Sequence, residues 1–209
     1  MHLTCLAIVG LALAAAPASP GPPPAARSDE LQAKVAAYLA THDVASVSEL
    51  RALAQVPEKP LIAVASDVRA ETMVRARAVA ALRLLPSPAV RAYLDKLLQD
   101  KAKASDAGDR LLLRRAAIAL GWLSGPRACE QLALLFANED AEVRVDAAIG
   151  LGLTRAADAP AFLRRQLAVE TAPRVRDQIE RQLRALGQSP AEPEKPPPKP
   201  ERQPMRGGF

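Results

Sequence analysis

One phrase recurs along the chain and governs what it can fold into. It reads VRARAVAALR at 74–83, LRRAAIALG at 113–121, VRVDAAIGLG at 143–152 and, in worn form, VRDQIERQLRALG at 175–187. In the first three copies an aliphatic residue precedes Arg, and an Ala-rich stretch ending in Leu follows. Leu82, Leu120, Leu151 and Leu183 fall 38, 31 and 32 residues apart. A period in this range belongs to stacked helical pairs, because one pair cannot bury its apolar face alone and needs its neighbour. The expected fold is therefore all-α, an α-α superhelix of about four helical pairs with a capping helix. Such stacks usually work by offering a surface.

Apolar stripes and cap residues place the helices. Ser28 is a good N-cap, Asp29 and Glu30 suit a first turn, and Leu31, Val35, Tyr38 and Leu39 form one stripe of a helix ending near Ala40. Segments at about 46–56 and 58–66, split by Pro57, read as a degenerate first unit. Leu50, Leu53 and Val56 point inward on the first of these, and Leu61, Ile62 and Ala65 on the second. Three clearer pairs follow at about 70–85 with 88–101, 109–124 with 126–137, and 140–154 with 160–169. A last helix opens at Ala172-Pro173 and stops at Gly187. Proline recurs where helices begin, at Ser87-Pro88, Gly125-Pro126, Asp158 to Pro160 and Ala172-Pro173, where its missing N–H costs nothing. That recurrence predicts one shared junction geometry. The stretch KAKASDAGDR at 101–110 is an insertion ahead of the unit holding Leu120, placed to contribute to binding from one face.

The two ends differ from this folded part. Leu3 to Ala16 is almost uninterruptedly apolar, and Ala16-Pro17-Ala18 offers small residues for cleavage, so residues 1–18 read as a secretory signal peptide. His2 stands where Lys or Arg is usual. A membrane anchor needs about 20 apolar residues, more than this run supplies. Cys5 precedes the apolar segment, whereas a lipid-modified Cys follows one. Residues 19–27 form a Pro-rich linker, 28–187 the repeat domain, and 188–209 a low-complexity tail rich in Pro. Such a tail buries too little surface to order itself; it is a solvated extension, or a tether or ligand for a Pro-reading partner through PPPKP at 196–200. With the signal removed one Cys remains, Cys129, so no intramolecular disulfide forms and packing alone holds the domain. High Ala, Arg and Pro usage points to a GC-rich bacterial genome, and hence to a periplasmic or secreted destination.

The repeats resemble the HEAT-like family, in its short, roughly 30-residue form known as the phycobilisome-lyase-like subtype. The likeness rests on Asp140, Val143-Arg144 and Ala147 to Gly152, echoed by Leu113-Arg114 and Ala116 to Gly121. It covers about residues 70–187, or 44–187 with the worn first unit. The resemblance implies a HEAT-like solenoid and says little about activity. It also implies that Arg75, Arg114, Arg144 and Arg176, which share one slot, meet acidic residues of their own or the adjacent repeat as a structural ladder. Glu71, Asp109 and Asp140 are the candidate acids. The competing reading makes these arginines a basic ridge for an anionic partner, helped by Arg164-Arg165, Arg181 and Arg184.

In HEAT-like stacks the second helix of each pair lines the concave face. On 88–101, Val90, Tyr93, Leu94, Leu97 and Leu98 form the inward stripe and leave Arg91, Asp95, Lys96 and Gln99 outward. With Glu130 and Gln131 on the next such helix and Arg164 and Arg165 on the last, these are the candidate binding surface. Trp122, at the end of a first-layer helix, reads as packing or capping.

Catalytic signatures are missing from the sequence. Only His42 survives signal cleavage, which argues against His-based metal cages and Ser-His or Cys-His relays. Deoxyhypusine hydroxylases, a HEAT-repeat enzyme family, hold iron with His-Glu pairs, whereas His42 is followed by Asp43. Gly150-Leu151-Gly152 has Arg155 where a dinucleotide loop needs a third Gly, and Gly121 to Gly125 misses nucleophile-elbow spacing by one residue. Cys129 falls at helical spacing from Leu132, Ala133 and Phe136, a buried apolar position. No cofactor is expected, and the bilin chemistry of the subtype name does not carry over. The net charge of +5 is spread thinly and does not demand nucleic acid. The sequence therefore predicts an exported, non-enzymatic scaffold that binds a protein partner, without a transmembrane segment after cleavage. The alternative is an Arg-rich face that grips nucleic acid or an envelope polyanion; an enzyme built on Asp and Glu alone is a third reading.

Overall fold

The structure, a computed structural model, describes residues 24–42, 45–125 and 127–188. The predicted signal peptide, most of the linker, Pro126 of one junction and nearly all of the Pro-rich tail lie outside the described residues. Every described element is helical: α1 (Pro24–Thr41), α2 (Val47–Leu53), α3 (Glu58–Ser66), α4 (Thr72–Ala81), α5 (Pro88–Lys101), α6 (Ala107–Leu123), α7 (Ala128–Ala133), α8 (Ala141–Thr154), α9 (Ala159–Val169) and α10 (Pro173–Ala185). Single 3-10 turns prolong α4 through Leu82–Leu84 and α7 through Leu134–Ala137.

The helices form two layers. α1, α4, α6, α8 and α10 pack in chain order as the first, and α3, α5, α7 and α9 lie beside them as the second. The fold is an α-α superhelix of paired helices, α1/α3, α4/α5, α6/α7 and α8/α9, ended by α10. Its first pair differs from the sequence expectation. α1 fills the first-layer place against α4, so α2 is a short connector packed on α1 rather than the first helix of a degenerate unit.

The Ala-rich phrase is explained where α6 meets α8. An ideal Cβ on Gly121 would lie 2.5 Å from the Gly150 carbonyl oxygen, and one on Gly150 would lie 2.6 Å from that of Ala117. The two backbones touch, and nothing larger than the hydrogen of glycine fits at these points. Ala116, Ala117, Ala147 and Ala148 are fully buried around the crossing. Leucines fill the space between the layers: Leu82, Leu94, Leu98, Leu112, Leu113, Leu132, Leu135, Leu151 and Leu163 are all inaccessible to solvent. Gly150-Leu151-Gly152 thus belongs to a helix interior, where Gly permits close packing.

Several local expectations are corrected. Helix α1 begins at Pro24, so Ser28 is an exposed position within its second turn and not a cap. Val56 lies beyond α2 and is 51% exposed, because the helix ends at Leu53. The junctions do not share one geometry. Ser87 caps α5 with extended backbone and accepts a hydrogen bond from the Val90 N–H, but Asp158 before α9 is in the right-handed helical region with no side-chain cap bond. Ala172 before α10 caps nothing by its side chain; its N–H donates instead to the Glu170 carboxylate at 3.0 Å. Proline supplies the same φ at each start, and the remaining geometry is set by different partners.

Candidate interaction surface

The four arginines of the shared slot point to different partners, and none meets the acid that the sequence offered. Arg144 grips Glu170 with Nε at 2.9 Å and Nη2 at 3.0 Å, while its Nη1 donates to the carbonyls of Asn138 and Glu139. Arg114 donates from Nε to Asp146 at 2.6 Å and lies 3.6 Å from Glu142. Arg176 uses only carbonyls, those of Leu167 and Glu170. Arg75 likewise donates from Nε to the Ala65 carbonyl at 3.2 Å. The expected acids serve elsewhere: Asp109 takes Lys101, and Asp140 caps α8 and takes Arg110 at 3.1 Å. Glu142 is shared with Arg174 from α10 at 3.0 Å. The ladder therefore runs across repeats through Asp146 and Glu170, both of which sequence reasoning missed. Each lies 26 to 32 residues after its arginine, a separation that only the stack makes short.

Electrostatics sort these acids. Burial raises the Glu170 carboxyl, but hydrogen bonds from Arg144, the Ala172 N–H and Gln166 outweigh it and hold the group at about 2. At Asp146 burial wins, and the carboxyl is pushed up despite Arg114. Arg114, more exposed than its partner, is still held more firmly protonated, as Asp146 and Glu142 overcome its own desolvation. The pair is thus favourable seen from the arginine and costly seen from the acid.

The candidate surface on the second layer divides. Arg91 is half-buried and ends α6: its Nη1 and Nη2 donate to the carbonyls of Ser124 at 2.7 Å and Leu123 at 3.0 Å. That is a structural capping role which the outward reading missed. Gln131 is corrected more strongly, being 5% exposed, with its Oε1 accepting from Gln99 Nε2 at 3.1 Å. Asp95 is half-buried, and burial pushes its carboxyl up against the pull of Arg127 and Arg91. Lys96, Glu130 and Arg165 do face solvent, Lys96 bound to Asp100 and Glu130 to Arg127. Arg164 is half-buried and donates from Nη2 to Gln188 at 2.9 Å. Arg165 lays its guanidinium over the Phe162 ring, 4.4 Å from the centroid.

What the sequence did not reveal is the apolar lining between second-layer helices. A groove of about 280 Å³ lies between α3 and α5, with Tyr93 and Leu97 on one wall and Val68 on the other. A second, of about 260 Å³, lies between α7 and α9 and is lined by Phe136, Phe162 and Arg165. The Gln99–Gln131 bond ties α5 to α7 between them. Tyr93, read as inward, instead lies at a groove wall, half-buried; Trp122, read as packing, is 61% exposed. The insertion at 101–110 is tied down, since Asn138 Nδ2 donates to the carbonyls of Ala102 and Ala104, and Asp106 caps α6.

The remaining reactive side chains have structural partners. Cys129 is buried, its thiol pushed up to about 11 by desolvation, with Sγ 3.7 Å from the Thr154 hydroxyl. His42 stacks on Tyr38 with ring centroids 4.3 Å apart. Ser124 does not sit at a nucleophile elbow; its hydroxyl lies 3.1 Å from the carbonyls of Gly121 and Thr154, joining the ends of α6 and α8. Among the described residues no cluster of His, Cys, Asp and Glu side chains could hold a metal ion, and no helix is long and apolar enough to cross a membrane. No protein-family model matches the chain, and none of the curated proteins matches it.

Proposed function

We propose that the chain is a non-catalytic scaffold of the HEAT-like kind, exported to the periplasm or secreted by a bacterium, which holds a protein partner on its second helical layer. The contrast between the layers carries this reading. First-layer arginines are spent on carboxylates and carbonyls of the stack itself, whereas the second layer exposes aromatic and aliphatic walls beside charged side chains. Aromatic anchors in grooves with a polar rim are the usual ingredients of a protein-binding surface. The rival reading, a polyanion-binding face, draws on the net charge of +5 and on exposed Arg165 and Arg181. Ion pairs that consume Arg110, Arg114 and Arg144 weaken it.

The two readings separate by salt and by mutation. Purified chain lacking residues 1–18, incubated with envelope extract, is expected to retain one protein at low and high salt, and to lose it when Tyr93 and Phe162 are both changed to Ser. Retention of nucleic acid or another polyanion that vanishes at high salt, unaffected by the aromatic changes, would establish the rival.

A further inference from the structure

We infer that the groove between α3 and α5 recognises a carboxylate next to an apolar side chain, within an acidic segment of a protein partner. The inference rests on the scaffold reading and narrows it to one site and one ligand chemistry.

The molecule supplies its own comparison. In the shared slot, Arg114 holds Asp146 and Arg144 holds Glu170, each through Nε and each on an acid from the following unit. At Arg75 this acid is missing: Nε meets the Ala65 carbonyl, and among the described residues no carboxylate forms an ion pair with it. The position of Ala76 to Ala78 in the phrase is conserved in form, so the arginine is set as its siblings are, one rung without its acid. Asp67, whose carboxylate feels the Arg75 charge, is already gripped by Arg69 through Nε at 3.1 Å and Nη2 at 3.3 Å.

The groove opens at this arginine. Arg75 lines it together with Lys96 and Lys101, and Asp100 is the one carboxylate in the lining. Lys96 is bound to Asp100 and Lys101 to Asp109, so the guanidinium of Arg75 is the charge left over. Around it stand Tyr93, Leu97 and Val68, and Val68 is 80% exposed. A guanidinium half-withdrawn from water beside apolar walls binds a carboxylate more tightly than one in open solvent, because desolvation of the site strengthens the pairing. The adjacent walls then accept an aliphatic side chain of the same segment. A basic or purely apolar segment meets the uncompensated cation and gains nothing from it.

The test uses the full chain, isotope-labelled for NMR, and three sets of short blocked peptides: alternating Glu and Leu, alternating Lys and Leu, and alternating Glu and Ser. The Glu–Leu peptide is expected to shift the signals of Val68, Tyr93 and Leu97 saturably, with Kd on the order of 1 mM, and the other two to bind at least about tenfold more weakly. Arg75→Gln, which keeps an amide donor for the Ala65 carbonyl, should weaken the Glu–Leu peptide by about tenfold or more. Val68→Ser, at an exposed position that leaves the core untouched, should weaken it by about threefold. Equal binding of the Lys–Leu or Glu–Ser peptides, shifts confined to other surfaces, or full affinity in both variants would overturn the inference. Should the envelope partner depend on Tyr93 and Phe162 yet these peptides ignore the groove, the scaffold reading stands and this inference falls; peptide binding with no captured partner would do the reverse.

Discussion

At the scale of single residues, Glu170 does the most to join neighbouring units. It is 6% exposed, yet it receives Arg144, Gln166 and the Ala172 N–H, so α8, α9 and the start of α10 meet at one carboxylate. Its folded pKa of about 2 lies below the usual 4.5, a depression worth about 3 kcal/mol in favour of the folded state. The sign follows from the direction of the shift. A depressed acid contributes fully above its unfolded value, and its share is lost as pH falls from about 4.5 toward about 2. Glu170→Gln should therefore lower stability at neutral pH by about 3 kcal/mol in urea unfolding, since Arg144 is left half-buried without its counter-charge. The variant should also lose the part of the acid destabilisation that falls in that window. Identical unfolding curves for variant and parent between neutral pH and pH 3 would remove Glu170 from this role.

At the scale of helices, the contact of α6 with α8 sets an unusual sign. In an isolated helix Gly→Ala is favourable by about 1 kcal/mol. At position 150 the new methyl group would meet the Ala117 carbonyl, which is backbone and cannot swing aside. Gly150→Ala is expected to destabilise by about 1–3 kcal/mol, measured by thermal or urea unfolding. A stabilising result would show that the two helices separate at little cost. Much of this level was legible from sequence. Helix α5 was placed at 88–101 and spans Pro88–Lys101, because Ser87-Pro88 carries two independent signals of a helix start. The Leu and Ala positions of the phrase were read as core, and they are core. What escaped was whatever depends on a partner distant in sequence. Pro24 begins α1 ahead of the cap-like Ser28, and Gln131 turns inward to meet Gln99. Arg91 turns out to cap a helix whose end lies 32 residues away. Spacing along one helix tells which residues share a face, but not which neighbour that face will meet. The candidate surface was accordingly half right: its charges at Lys96, Glu130 and Arg165 are exposed, and its aromatic walls went unread.

At the scale of the whole molecule, the units stand or fall together. Leu120 is 2% exposed at the centre of the α6 row, between α4 and α8. Leu120→Asp would place an unpaired charge there, at a cost that exceeds what neighbouring pairs can absorb singly. We expect a lowered, still cooperative melt monitored by circular dichroism, rather than loss of one pair with the others intact. An unchanged melting curve would remove Leu120 from the core.

The cross-unit pairs also have a direction. Arg110, Arg114 and Arg144 each come earlier in the chain than Asp140, Asp146 and Glu170, the acids that neutralise them. On the ribosome, where the N-terminal part emerges first, each new unit arrives with its cation bare and waits for the following unit to bring the counter-charge. A growing chain thus carries a positive leading edge that moves along with synthesis. It is extinguished only when Glu170 appears, and the final arginine of the series, Arg176, closes on carbonyls that are already in place.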